Sequence, residues 1–191
     1  MGCQSGNNLT SGNYNIFVGH NVGAAAAITG YNNTAFNRSS LVCLTSGHNN
    51  FAGGYAAGKC LTTGTHNIIL GTNASSGATN TGHYNIILGK EAGCKITSAT
   101  DNVFVGRYAG KTLEDGDRNI MLGRQAGIGA SVSQYDSIFI GSYAGRCSAY
   151  SMSGYNGCGS IFIGTYAGEK VGQAGEKNVF IGHWAGKCMC A

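Results

Sequence analysis

The chain has 191 residues, among them 33 Gly and 8 Cys but no Pro, and only 10% are charged, where a soluble domain carries roughly 25%. Abundant Gly without Pro excludes collagen, and a 42% apolar share excludes a disordered Gly linker. The formal charge of +4 is too small, and too scattered along the sequence, to mark a nucleic-acid footprint, and no apolar run is long enough to span a membrane.

Residues 1–14 are polar, read as a short lead, and lack the apolar core of a secretory signal. From Asn15 onward the chain is a repeat: Asn or Ser, three apolar residues, Gly, two variable residues, Ala, Gly. Its copies start at residues 15, 33, 50, 67, 85, 102, 119, 137, 160 and 178, a step of 17 or 18 except for one step of 23. Asn85-Ile-Ile-Leu-Gly89-Lys-Glu-Ala-Gly93 and Asn102-Val-Phe-Val-Gly106-Arg-Tyr-Ala-Gly110 are full copies; at the second copy Asn37 replaces the first Gly. The long step holds an insertion at about 148–159, the repeats close at Gly186, and 187–191 form a tail. A second Gly column, including Gly12, Gly30, Gly47 and Gly64, stands three residues ahead of the leading Asn.

Triplets rich in Ile, Val and Phe, bounded by Gly and Asn, predict short strands between turns, and a Gly every few residues excludes helix. The recurring Gly that Asn37 once replaces predicts a backbone position with positive φ. Each repeat is then one coil of a parallel β-solenoid, expected to carry two short strands and two tight corners. Coils stacked about 4.8 Å apart make a rod of about 45 Å, with the leading Asn and Ser side chains hydrogen-bonding along it. All three triplet positions are apolar rather than alternating. The middle column reads Phe17, Ala35, Ala52, Ile69, Ile87, Phe104, Met121, Phe139, Phe162 and Phe180, so whichever face is the interior, the other is an apolar stripe that a second chain should cover.

The unit Asn-(Ile/Val)-(Phe/Ile)-(Val/Ile)-Gly-x-x-Ala-Gly, running from Gly12 to Gly186, resembles the head repeats of trimeric autotransporter adhesins and similar repeats in bacteriophage and viral tail fibres. The resemblance implies a left-handed parallel β-roll assembled as a homotrimer. No signal peptide, coiled-coil stalk or anchor barrel is read in this sequence, so the expectation is a non-enzymatic structural subunit of a fibre or filament, extracellular or on a virion. An adhesin-type module recognising surface glycans is the alternative.

Catalytic chemistry finds little support. Acyltransferase solenoids repeat an aliphatic residue every six, whereas the positions six after Val18, Leu88, Val105 and Ile181 hold Ala24, Cys94, Lys111 and Lys187. The histidines His20, His48, His66, His83 and His183 lack a partnered nucleophile, and Glu114-Asp115-Gly116-Asp117 lacks calcium-loop spacing. No metal or cofactor is expected. The two variable residues after the first Gly are the candidate binding row: Arg107, Tyr108, Arg124, Tyr143, Tyr166, His183 and Trp184 combine basic forks and ring faces suited to an anionic glycan.

Eight cysteines suggest disulfides and an oxidising compartment. Cys43, Cys60, Cys147 and Cys188 lie ten residues after the start of their repeats, which sets Cys43 one rung from Cys60. Cys147 and Cys158 bracket the insertion. Neither end reads as a polar cap, so end-to-end stacking is expected, with Cys3, Cys188 and Cys190 placed to lock the joint.

Overall fold

Each apolar triplet forms one three-residue strand: β1 (Ile16–Val18), β2 (Thr34–Phe36), β3 (Phe51–Gly53), β4 (Ile68–Leu70), β5 (Ile86–Leu88), β6 (Val103–Val105), β7 (Ile120–Leu122), β8 (Ile138–Ile140), β9 (Ile161–Ile163) and β10 (Val179–Ile181). The computed structural model describes residues 2–25, 27–130, 133–147, 159–171 and 177–188. Within these the strands make one parallel sheet in sequence order, the ladder of a β-solenoid, and there is no helix. Like pairs with like: Ile69 lies opposite Ile87, and Phe104 opposite Met121. Register survives the 23-residue step, since Phe139 still pairs Phe162. The insertion itself, apart from residues 147 and 159 at its rims, lies outside the described residues.

The expected second strand per coil is absent from the described residues, where only the bridges Leu9–Ile28 and Leu61–Asn80 occur beyond the main sheet. Left-handed residues are the reason. The Gly after each triplet has φ of 123–141°, and Asn37 in its place has 81°. The second variable residue is left-handed in every coil at 54–65°, including Glu91, Tyr108, Tyr143 and Trp184, which have no local preference for that region. A further left-handed residue precedes each leading Asn or Ser, as at Tyr84, Asp101 and Arg118. Each costs about 1–2 kcal/mol in isolation. Inter-coil bonds offset the cost: Tyr108 N–H donates to the Lys90 carbonyl at 3.0 Å, Tyr143 to Arg124 at 2.9 Å and Tyr84 to Thr65 at 3.0 Å.

The second Gly column answers to a different constraint. A Cβ at Gly12, Gly30, Gly47 or Gly64 would collide with the carbonyl oxygen of the matching Gly one coil on, so contact distance rather than backbone conformation selects Gly there.

Three rows of side chains fill the interior. The middle strand row runs from Phe17 through Ile69, Ile87, Phe104, Met121, Phe139 and Phe162, all buried, to the half-buried Phe180. The row read as oligomer contact or core is therefore core. Beside it run the alanines Ala57, Ala74, Ala92, Ala109, Ala126, Ala144 and Ala167, and then Leu44, Leu61, Ile96 and Leu113. Volume is exchanged between neighbouring sites. A Cβ at Gly110, Gly145 or Gly186 would approach the ring of Phe104, Phe139 or Phe180 to 2.6–2.9 Å. In the second coil the ring is replaced by Ala35, and the position of that Gly is taken by the fully buried Leu41, whose Cδ2 overhangs Gly58 of the next coil.

Residues 2–14 continue the stack rather than leading into it. Asn21 N–H donates to the Cys3 carbonyl at 3.0 Å and Ile28 N–H to Asn8 at 3.0 Å, while Gln4 and Gly6 repeat the left-handed φ of Asn21 and Gly23.

Candidate functional surfaces

The leading asparagines stack into a buried ladder. Asn33, Asn50, Asn67, Asn85, Asn102 and Asn119 each direct their backbone N–H and Nδ2 to the Oδ1 of the Asn one coil earlier, at 2.9–3.1 Å. The same Nδ2 donates to a carbonyl of the following coil, as Asn33 does to Gly47 and Asn67 to Gly82. These carbonyls sit in or beside the close-approach Gly column, so that column and the ladder form one device. Its amides are consumed in cohesion.

The outward strand positions form an apolar face. Ile16, Val18, Phe36, Phe51, Ile68, Ile86, Val105, Val179 and Ile181 are 36–67% exposed, and the equivalent residues of β7, β8 and β9 are half-buried. Alternation along each strand thus puts the middle residue inside and two large apolar residues outside on eight of the ten rungs, the exceptions being β2 with Thr34 and β3 with Gly53.

The candidate glycan row is brought together along one corner, but its ring faces are occupied. Tyr143 and Tyr166 stack at 4.8 Å with their planes nearly parallel, and His183 stacks on Trp184 at 4.5 Å. Arg107 and Lys111 lie over Tyr108, Arg124 and Arg146 over Tyr143, and Lys187 over Tyr166 and Trp184, all within 5.3 Å of a ring centroid. Sugar stacking on these faces is blocked. Two carboxylates enter the same corner. Glu91 binds Lys111 at 2.7 Å, which holds its carboxyl below the ordinary range and raises Lys111, and Glu169 lies 3.7 Å from Arg146 and 3.4 Å from Lys187.

The coil geometry also reorders the charges that look scattered in sequence. Every Lys and Arg except Arg118 and Lys177 falls five to ten residues after the start of its repeat, that is ten of the 12, whereas only Glu91 and Glu169 of the eight acids do. That corner therefore sums to +10 − 2 = +8, and the rest of the chain to +2 − 6 = −4, together the +4 of the whole. The sequence reading missed this because it counted charge along the chain; coil offsets gave the signal.

Other candidates resolve into structure. Cys43 and Cys60, one rung apart, are free thiols rather than the expected pair, and Cys3, Cys94, Cys147 and Cys188 are also unpaired within the chain; Cys158 and Cys190 lie outside the described residues. Cys60 Sγ donates to the Ser76 carbonyl at 3.2 Å, and burial, then the neighbouring Cys43, pushes its thiol up, away from reactive thiolate. Asn49 Nδ2 bridges His48 Nδ1 and His66 Nε2 at 3.1 and 3.0 Å, while Tyr31 and Tyr84 stack on these two rings. In the acidic cluster, Asp117 Oδ1 accepts from Thr100 N–H at 2.7 Å and Asp115 from Ser133. Among the described residues no three His, Cys, Asp or Glu gather as a metal set, and no helix is long and apolar enough to cross a membrane.

Compared with family models, curated proteins and solved structures, the chain matches none.

Proposed function

We propose that the chain is a non-enzymatic structural subunit of a trimeric fibre or filament, extracellular or on a virion. The observation that carries this reading is the apolar outer face of the ten-strand sheet, which has large Ile, Val, Leu and Phe side chains at most outward positions. Such a face along a whole rod exceeds the few hundred Å² of contiguous apolar surface that monomers tolerate, and further copies of the same rod offer it a partner with the same spacing. The resemblance of the repeats to adhesin heads and tail-fibre repeats supports three copies rather than two.

Native mass spectrometry and light scattering at micromolar concentration test the reading. The wild type is expected at three times the chain mass. Ile68→Lys with Ile86→Lys, on the outer face, is expected to yield folded monomers, because both residues are exposed within one chain. A folded, soluble wild-type monomer would overturn the proposal.

A further inference from the structure

We infer that the cationic corner is a docking surface for an acidic polysaccharide, a polymer carrying carboxylate or sulfate groups on successive sugars. The inference goes beyond the fibre reading and uses residues outside the apolar strand face.

From the fifth coil to the tenth the corner holds at least one Lys or Arg per coil, beginning at Lys90 and ending at Lys187. The vertical repeat is fixed by the stacked rings of Tyr143 and Tyr166 at 4.8 Å, so six consecutive coils present a cation row about 24 Å long. An extended pyranose chain advances by nearly the same interval per sugar, which lets successive acid groups meet successive coils. Among the described residues only Glu91 and Glu169 oppose this row, and the other described acids fall at other repeat offsets. The field along the corner is of one sign.

The aromatic rings order this row rather than serve as its recognition faces. Arg107 sits 4.6 Å above Tyr108, and Arg124 and Arg146 each 5.3 Å from Tyr143. A guanidinium lying on a ring keeps its N–H edge available for a bidentate bond to a carboxylate or sulfate. Long flexible side chains are thereby positioned before the ligand arrives, which lowers the entropy lost on binding. The same occupancy disfavours single-stranded nucleic acid, whose binders need free ring faces on which bases stack. A straight row on a convex corner also cannot follow the phosphates of a duplex around its helix.

The test is a titration of the intact protein with heparin, with neutral dextran and with duplex and single-stranded DNA, at a series of salt concentrations. Heparin is expected to bind with an affinity that falls steeply with salt, and dextran not to bind. Arg107→Gln with Arg124→Gln should weaken heparin at least tenfold, while Arg118→Gln with Lys177→Gln, outside the corner, should change it less than twofold. Light scattering on each variant keeps assembly separate from binding: a corner variant that binds poorly yet keeps the wild-type mass supports the docking surface whatever that mass is. Tighter binding to DNA than to heparin, equal losses in the two double variants, or no heparin binding at low salt would each overturn the inference.

Discussion

Coils one to seven and coils eight to ten are held to their neighbours by different means. In the first group Asn15 to Asn119 form the amide ladder, and each Oδ1 from Asn15 to Asn102 receives two bonds of 2.9–3.1 Å. In coils eight and nine the rung residue is Ser137 or Ser160, and the bond its hydroxyl accepts from the next rung is longer, 3.3 Å from Ser160 N–H and 3.4 Å from Asn178 N–H, while Ser137 also accepts from Gln134 Nε2 within its own coil. There the core supplies what the rungs lose. Phe139, Phe162 and Phe180 stack at 5.0 and 5.1 Å, whereas the core of the earlier coils includes Ala35, Ala52, Ile69 and Ile87, with no such run of rings. Polar cohesion and aromatic stacking substitute for one another within a single repeat pattern.

The largest expected effect breaks the aromatic region. Phe139→Ala should cost about 4 kcal/mol, from lost transfer, a cavity and the lost stack on Phe162. Gly145→Leu alone should also destabilise, by about 3 kcal/mol, because its Cβ would strike that ring and its φ is 63°. The two together imitate the second coil, where Ala35 is paired with Leu41. The double variant is therefore expected to be more stable than the sum of the singles by about 2 kcal/mol, the range seen for contacting pairs. Urea denaturation of all four proteins decides it, and strict additivity would refute the volume exchange.

Next in size is the ladder. Asn67→Ala removes the Nδ2 bonds to Asn50 Oδ1 and to the Gly82 carbonyl, and takes away the Oδ1 that accepts from the backbone N–H and Nδ2 of Asn85. A loss of about 2–3 kcal/mol is expected, larger than that of Ser160→Ala, and the same denaturation series measures it. Equal losses would mean that the two regions do not differ in polar cohesion.

The smallest effect lies at the seam between Ile87 and Phe104, where Glu91 meets Lys111. The Glu91 carboxyl is held below its ordinary range, so its contribution is present above the unfolded-state value and fades as pH falls through the folded one. Glu91→Gln should flatten stability between about pH 5 and 3 by a few tenths of a kcal/mol, since both half-buried side chains keep solvent access that screens the pair. An unchanged pH profile in the variant would show the pair to be decorative.

Much of this was legible in the sequence. The triplet strands, the hydrogen-bonded Asn column and the positive φ at the Gly that Asn37 replaces all follow from residue types at fixed intervals, whereas an all-apolar triplet leaves open which of its faces is interior. The second strand was misread because the residues that interrupt it, such as Glu91, Tyr108 and Trp184, have no intrinsic reason to be left-handed; stacking bonds impose that conformation. Leu44, Leu61, Ile96 and Leu113 escaped notice because no fixed motif frames them. The pairing of Cys43 with Cys60 follows from repeat spacing, which does not see that Cys60 spends its sulfur on the Ser76 carbonyl. The ring faces of Tyr108 and Tyr143 looked open because the cations over them include Lys111 and Arg146 from other positions of the same coil and Arg124 from the preceding coil.

The amide ladder also gives the rod an electrical direction. Main-chain bonds between coils run both ways along the axis: Ile16 N–H points toward the second coil, and Asn37 N–H of that coil points back. Their dipoles largely cancel, as in any sheet. The side-chain amides do not alternate. From Asn15 to Asn119 each Oδ1 faces onward to the next rung, while from Asn33 each Nδ2 gives one hydrogen to the preceding rung and the other to the following coil, so the seven side-chain carbonyl dipoles point the same way. Their sum places a partial positive charge at the Asn15 end and a partial negative charge at Asn119, on the reasoning that applies to a helix. Aligned amides also polarise one another, so each added rung strengthens those before it until Ser137 ends the series. The interior of this solenoid is thus a wire of oriented dipoles about seven rungs long, wrapped in hydrocarbon.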